Sequence, residues 1–516
     1  MKTVGAVVFL VAALGIGGCA TNPVTGESEL ALVSESSELE IGRKQYAPSR
    51  QMQGGDYLLD PALTRYVRDV GQRLAAVSDR KLPYEFTVIN DSSPNAWALP
   101  GGKIAINRGL LVELKSEAEL AAVLGHEIVH AAARHSAQGM ERGMLLQGAL
   151  AAVGVAARNS DYAGVAVGAA SLGANLLNQR YSREAELESD RYGMQYMQRA
   201  GYDPGAAVDL QQTFVRLSES KQQNWLAGLF ASHPPSPERV KANRDTARSM
   251  GRGGRQGRQE YERMIAGLKR SRPAYEAYDE GQKVLEKSPK AALRLAAKAI
   301  AIEEREGLFH GLKGDALYKM KRYEQARGAY DRAVRLNPDF FRPHLQRGMV
   351  RSKLNDPRGA RRDLQRSLEL LPTADAHYLL GVIARQEGDR RVAAEHFRVA
   401  SGSDSGVGRA AAKALGSLSG GAGERENARL TARLTVDRAG RLLVRVTNGG
   451  SIDVRDPVVV VGRVDAGGNI RNARKHRLQG PLPAGKSFSF DSGIRGLTRR
   501  QADNYRARVV EARAIP

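Results

Sequence analysis

The stretch His126-Glu127-Ile128-Val129-His130 closes a run in which Ala118, Leu120, Ala121, Val123, Leu124, Ile128 and Val129 recur at helical spacing. On a helix, residues four apart lie one turn above each other, so His126 and His130 aim two imidazoles at one ion. Glu127 projects to a neighbouring face, within reach of a water at that ion without being a ligand itself. Two histidines, one further protein ligand and an open fourth position describe a catalytic zinc site. A chance match on a buried helix is the alternative.

Candidates for the third ligand lie downstream. Tyr181-Ser182-Arg183-Glu184-Ala185-Glu186-Leu187-Glu188-Ser189-Asp190 opens a second helix of charged, helix-favouring residues. Glu186 and Asp190 share one face, which suits a ligand carboxylate with a second carboxylate supporting it. By chemistry alone Glu184 and Glu188 compete, and a solvated acidic face accounts for all four. Ser-Arg, two residues, Glu, three residues and Asp, downstream of a His-Glu-x-x-His helix, resembles the forty-eighth metallopeptidase family, the zinc peptidases of the HtpX, prenyl-protein and BepA types. The resemblance implies that Glu186 joins His126 and His130 around one Zn2+ per chain, and that Asp190 orients a ligand histidine.

Met1-Lys2 and the apolar run from Val4 to Gly18 read as a secretory signal, too short for a membrane span. The run ends Ile16-Gly17-Gly18-Cys19, which resembles the lipobox of bacterial lipoproteins and implies a leader over 1–18 and lipidation of Cys19. Cys19 is the one cysteine in 516 residues, so no intramolecular disulfide can form. A lipidated thiol suits an oxidising compartment better than a free one. Ala20 and Thr21 offer no aspartate of the kind that retains enterobacterial lipoproteins at the inner membrane. The expected location is therefore the outer membrane, facing the periplasm; cleavage elsewhere in the signal is the competing reading.

The length accommodates about three domains. The net charge of +22 is uneven: residues 20–238 hold 20 basic and 25 acidic side chains, residues 239–516 hold 57 and 31. A basic half points to nucleic acid or an anionic surface. Export argues against nucleic acid and leaves an acidic envelope polymer, anionic lipid or an acidic client.

Within the first half, Pro61 to Val77 is an amphipathic helix with Leu63, Tyr66, Val67, Val70 and Leu74 on one face. Tyr84–Ile89 and Lys103–Asn107 read as strands around a turn-rich segment, Asp91 to Gly102. The run from Asn95 through Pro100-Gly101-Gly102 also resembles the family, and in related zinc proteases such a strand pairs with extended substrate; a plain hairpin is the alternative. Gly143 to Asn178 is split by Arg158, Asn159 and Asp161 into runs shorter than the roughly 20 residues of a span. It reads as a helical pair over the cleft, either a lid or a buried hairpin. Ser232-His233-Pro234-Pro235-Ser236-Pro237-Glu238-Arg239 matches the family as well. The resemblance implies that His233 lies near the zinc and holds the enzyme latent by filling the open position. Donation to the tetrahedral oxyanion, with Arg239 in support, is a second role, and capping of a Pro-rich turn is the bland one. His135 faces elsewhere on a continuous helix and reads as structural.

Beyond the Gly- and Arg-rich stretch from Gly251, a period appears. Gly281, Gly314, Gly348 and Gly381 are spaced 33, 34 and 33 apart, Ala292, Ala326, Ala360 and Ala393 keep the same period, and Tyr330, Leu364 and Phe397 follow their alanines by four. This is the tetratricopeptide pattern, in which small residues let paired helices approach and stacking builds a concave face. Leu430–Val436, Leu442–Thr447, Val458–Val461 and Tyr505–Val510 then read as strands separated by Gly-rich turns, with an immunoglobulin-like sandwich as one form they could take.

The chain is thus read as multidomain: a lipoprotein signal over 1–18; a mainly α zinc-metalloprotease domain with a small β-sheet over 19–250; a basic linker over 251–273; an α-solenoid of tetratricopeptide repeats over 274–402; a linker over 403–427; and a C-terminal β-sandwich over 428–516. The resemblance implies a zinc endopeptidase with protein substrates, working in quality control of outer-membrane proteins. Misfolded outer-membrane proteins and their assembly machinery are the expected partners, with the outer membrane contacted through lipidated Cys19. The competing class is a chaperone-like tetratricopeptide adaptor with a latent or structural zinc site. Glu127 argues against it, because a structural site has no use for a base.

Overall fold

A computed structural model describes residues 19–152, 180–219, 232–251, 253–427, 430–450, 452–465 and 470–514. The signal expected over 1–18 and most of the helical pair expected over Gly143–Asn178 lie outside these residues. Two compact units divide the chain: one runs to Gly388 and includes 402–408, the other comprises 389–401 and the residues from Arg409.

The first unit opens with an antiparallel hairpin, β1 (Cys19–Thr21) and β2 (Ser28–Leu30), followed by α1 (Glu35–Met52) and α2 (Pro61–Ala75). Asp60 starts α2 by accepting from the Ala62 and Leu63 backbone N–H groups, and Pro61 suits the first turn, where no N–H partner is needed. Leu63, Val67, Val70 and Leu74 then enter the core. Strands β3 (Glu85–Ile89), β4 (Ala96–Leu99) and β5 (Lys103–Asn107) form a sheet of order β3-β5-β4, with β3 parallel and β4 antiparallel to β5. The two expected strands are therefore parallel neighbours, not a hairpin. The edge strand β4 falls where turns were expected. Ala96-Trp97-Ala98-Leu99 is buried throughout, so it carries no polar alternation to mark it as a strand.

A short helix α3 (Arg108–Leu111) leads to α4 (Glu117–Ala132), which carries the His-Glu-x-x-His motif. Ser116 caps α4 by accepting from the Glu119 N–H. All of α4 except His126 is buried, making it the central rod of the domain. Helices α5 (His135–Ala152), α6 (Arg183–Arg199), α7 (Gly205–Glu219) and α8 (Pro237–Met250) follow.

The linker expected over 251–273 is a correction. Helix α9 (Arg258–Val284) begins inside it. Tyr261, Ile265 and Leu268 recur at helical spacing and enter the same core as α2 and α4, and the Tyr261 hydroxyl donates to the Leu111 carbonyl at 2.6 Å. The Arg and Lys residues that read as linker occupy the outer face of this helix. Only 251–257 remains a connection.

The repeats continue with α10 (Pro289–Ile302), α11 (Gly307–Lys319), α12 (Tyr323–Leu336), α13 (Phe341–Lys353), α14 (Pro357–Leu370) and α15 (Ala374–Gln386). A Cβ at Gly314 would lie 2.4 Å from the Tyr330 ring, and one at Gly348 2.9 Å from Leu364. The glycine period thus records backbone contact between paired helices. The array also leans on the N-terminal helices and sheet. Arg108 stacks on the Tyr275 ring at 3.3 Å and donates to Asn90, while Asn90 and Tyr275 both donate to Glu306. Gln51 reaches the Asp339 carbonyl and the Phe341 N–H. Between these contacts lies a cleft of about 920 Å³.

The second unit contains α16 (Arg390–Ser401) and, from Arg409 on, α17 (Gly406–Asn427), which is helical throughout where the linker over 403–427 reads as a short Ala-rich helix and a Gly-rich connection. Strands β6 (Leu430–Val436), β7 (Leu442–Asn448), β8 (Val454–Val464), β9 (Ile470–Arg477), β10 (Pro481–Leu482), β11 (Ser487–Asp491) and β12 (Tyr505–Ala514) follow. They form two antiparallel sheets, β11-β7-β6 and β10-β8-β12 with β9 also on β8. Leu442, Val444 and Val446 of the first sheet share one apolar cluster with Val459, Val461 and Val509 of the second. Strand β9, with Arg or Lys at four of its eight positions, had no apolar pattern to announce it. Among the described residues no helix is long and apolar enough to cross a membrane.

Candidate metal centre

Two glycines let the metal helices meet. A Cβ at Gly125 of α4 would lie 3.1 Å from the Gly193 carbonyl of α6, and one at Gly193 3.0 Å from the His126 nitrogen. This close crossing sets Glu186 and Asp190, at the start of α6, against the histidines of α4. Ser182 starts α6 by accepting from the Ala185 N–H.

His126 Nε2 and His130 Nε2 stand 3.0 Å apart. Glu186 places Oε1 3.3 Å from His130 Nε2 and Oε2 3.7 Å from His126 Nε2. His233 Nδ1 lies 3.2 Å from His126 Nε2 and 2.9 Å from Glu186 Oε1. Donors on a tetrahedral zinc with bonds of about 2.0–2.1 Å are separated by about 3.3 Å, so these four groups fit one zinc ion. The histidine tautomers make the same point. His126 Nδ1–H donates to Asp190 Oδ1 at 2.9 Å, which leaves its Nε2 as a lone pair aimed at the centre. His130 Nδ1 meets His135 Nδ1 at 2.8 Å; with the proton on His130, its Nε2 lone pair also points inward. In that tautomer two lone pairs face each other 3.0 Å apart, a repulsion that a cation between them relieves.

Of the carboxylates that competed as third donor, Glu186 is the one brought to the histidines. Glu184 is exposed, and Glu188 faces His135 Nε2 at 3.4 Å. Arg239, in the first turn of α8, holds Asp190 in a two-point contact at 2.7 and 2.8 Å and reaches Glu186 Oε2 at 2.6 Å. It therefore braces the two carboxylates rather than sitting beside an oxyanion. Glu127 is buried, and its Oε2 has no hydrogen-bond partner; its Oε1 lies 3.6 Å from His233 Nε2.

Charge and burial tune these groups in opposite directions. Burial raises the Glu127 carboxyl above its ordinary range, more than the nearby histidines lower it. Burial also holds His130 well below the usual imidazole value. For Glu186, burial favours the neutral acid, but His233 and His126, with hydrogen bonds from His130 and His233, outweigh it and keep the carboxyl well below its usual value. Asp190 is lowered likewise, burial being outweighed by Arg239 and His126. For His233, burial favours the neutral ring, and Glu186 and Glu127 overcome it and raise its pKa.

Sequence reasoning missed three contributors. His135 was placed on a continuous helix facing away, but α4 ends at Ala132 and Arg134 adopts φ 64, which turns His135 back to His130. Arg134 is held there by Glu38 and the Val33 carbonyl, contacts about a hundred residues away in sequence. Tyr181 stacks on His130 with ring centroids 3.8 Å apart and shares a hydrogen bond with Ser136. Gly193 lacked any visible signal apart from its position seven residues after Glu186.

Comparison with known proteins adds an independent line. The profile of Peptidase family M48 matches residues 61–247, and tetratricopeptide profiles match residues 314–355 and 345–407. The beta-barrel assembly-enhancing protease of Escherichia coli (strain K12) is 31% identical over 262 residues, covering 47% of this chain and 52% of that protein. A putative beta-barrel assembly-enhancing protease of Vibrio cholerae is 35% identical over 196 residues, 37% of this chain and 40% of that one. The chain thus spans about half the length of these curated relatives. Metalloprotease YcaL of Escherichia coli (strain K12) is 30% identical over 187 residues, 34% of this chain and 69% of that protein. With helices α4 and α6 and the histidine-led turn before α8 all inside the matched region, the chain belongs to peptidase family M48.

Proposed function

We propose that the protein is a zinc-dependent endopeptidase with protein substrates, built on His126, His130 and Glu186 as metal ligands and Glu127 as general base. The observation that carries this reading is the buried Glu127 carboxylate, one oxygen of which lacks a hydrogen-bond partner beside the converging donors. Zinc bound there supplies a Lewis acid for a peptide carbonyl and acidifies water at neutral pH. Glu127, its proton affinity raised by burial, takes a proton from the attacking water and returns it to the leaving amine. Asp190 fixes the tautomer of His126, and Arg239 keeps Asp190 ionised in a buried setting and pairs with Glu186.

His233 Nδ1 lies at donor distance in the described arrangement, which favours a resting state with its ring in the fourth position. Substrate entry then requires this ring to leave, after which it is placed to donate to an oxyanion. The edge strand β4, whose Ala96 lines the cavity with His126 and Glu127, is the proposed partner for extended substrate backbone.

The names of the relatives speak of beta-barrel assembly, and we extend that to this chain: misfolded outer-membrane proteins and their assembly machinery as substrates and partners. The repeats supply the docking surface, Cys19 carries the lipid that anchors the chain to the outer membrane facing the periplasm, and the two C-terminal sheets form a β-sandwich. The test is casein cleavage by the zinc-loaded wild type and by His233→Ala. Cleavage in both, abolished by a chelator and restored by zinc, supports the endopeptidase. A faster His233→Ala supports the latent resting state and a slower one supports the oxyanion role. Cleavage that survives complete zinc removal contradicts the proposal.

A further inference from the structure

The outer face of the β9-β8-β12 sheet has a composition that the unit's own packing does not explain. Val459 and Val461 of β8 enter the core of the second unit, and strand alternation points Val458 and Val460 to the opposite face, where Val458 is fully covered and Val460 half-buried. Register places Lys475 and Arg508 on either side of Val460, Arg477 and Glu511 on either side of Val458, and Arg506 beside Gly462. Lys475, Arg477, Arg506 and Arg508 are exposed. The one carboxylate in this set, Glu511, faces Arg477 at 3.6 Å. Arg506 reaches only the carbonyls of Asp503 and Tyr505, and Lys475, Arg506 and Arg508 form no ion pair among the described residues. Residues 430–516 carry 17 Lys and Arg against 7 Asp and Glu, so the unit does not neutralise this face.

The chemistry separates the kinds of partner. A protein interface centres on aromatic anchors in a desolvated core, and the residues that register places on this face include none. Exposed Lys and Arg side chains, whose methylene stems lie along apolar surface while the charged ends reach outward, match the anionic boundary layer of a membrane. We infer that this face binds the anionic headgroups of a lipid bilayer. Each cation near such a surface contributes about 1 kcal/mol, so three of them set a large part of the affinity. The inference is independent of the metal centre.

The test uses the chain from residue 19 onward carrying Cys19→Ser, so that no acyl anchor contributes. It is sedimented with vesicles of phosphatidylcholine alone and with vesicles containing one third phosphatidylglycerol. The expected result is binding to the anionic vesicles only, weakened by salt and reduced about a hundredfold by Lys475→Gln, Arg506→Gln and Arg508→Gln together. These side chains are exposed, and an unchanged melting curve will show that the variant is folded. A control removing the same charge from the repeats, Lys287→Gln, Lys290→Gln and Lys298→Gln, should bind as wild type does. Three results overturn the inference: no preference for anionic vesicles, equal loss in the control, or indifference to vesicles with binding to polyglutamate, which would assign the face to an acidic protein.

Discussion

At the scale of single residues, the metal centre is a chain of dependencies that ends in Arg239. His126 turns Nε2 toward His130, Glu186 and His233, the proposed metal position, because Asp190 holds its Nδ1–H, and Asp190 stays ionised in a buried site because Arg239 grips it at two points. Asp190→Asn removes that charge and leaves Arg239 with a weaker partner. The expected outcome is a 10- to 100-fold lower zinc affinity, the usual effect of losing such a support, read by competition with a chromogenic chelator; unchanged affinity would mean that Asp190 does not orient His126. The His-Glu-x-x-His spacing was legible because both histidines sit on one helix and the helix period is local. His135 was not, because the turn that brings it back is imposed on Arg134 by Glu38 and Val33, and no residue between Ala131 and His135 marks a helix break.

At the scale of elements, the repeats obey a period and the protease core does not. His310 and His344 occupy equivalent repeat positions 34 residues apart, and each donates Nε2–H to a carbonyl six residues earlier, that of Glu304 and of Pro338, at 2.9 Å. Burial lowers both pKa values, with Arg332 and Lys313 adding to the effect at His310 and Arg347 and Arg366 at His344; Glu304 and Asp363 oppose it. A lowered folded pKa means that the unfolded chain takes up protons first. The stability contributed by the neutral rings is complete above about pH 6.5 and is lost as pH falls through the lower folded values. Thermal unfolding followed between about pH 7 and pH 5 should show a falling midpoint, with a flatter profile in the His310→Gln, His344→Gln variant; equal slopes would contradict this. The repeat array could be read because glycine and alanine recur wherever two helices touch. Strand β4 could not, since burial on both faces removes alternation, and α9 was hidden by the arginines and lysines on its outer side.

At the scale of the molecule, the protease domain and the first repeats share a core. Tyr261, Ile265, Leu268 and Tyr275 of α9 belong to the same apolar cluster as Leu63 of α2 and Leu124 of α4. Burying a large apolar side chain contributes about 1.5–3 kcal/mol, so losing Tyr261, Ile265 and Leu268 removes roughly 5–9 kcal/mol, comparable with the whole stability of a typical domain. A protein of residues 19–257, which keeps the entire zinc site, should therefore lack a cooperative unfolding transition by circular dichroism, whereas residues 19–388 should show one. A sharp transition in the shorter protein would mean that the repeats are an appendage.

The central claim is that Glu127 acts on substrate at a zinc held by other residues. The most direct measurement pairs zinc content with casein cleavage in the wild type and in Glu127→Gln. The account predicts one zinc per chain in both and cleavage lower by about a hundredfold to ten-thousandfold in the variant. Equal cleavage by the two proteins, each with its zinc in place, would contradict it.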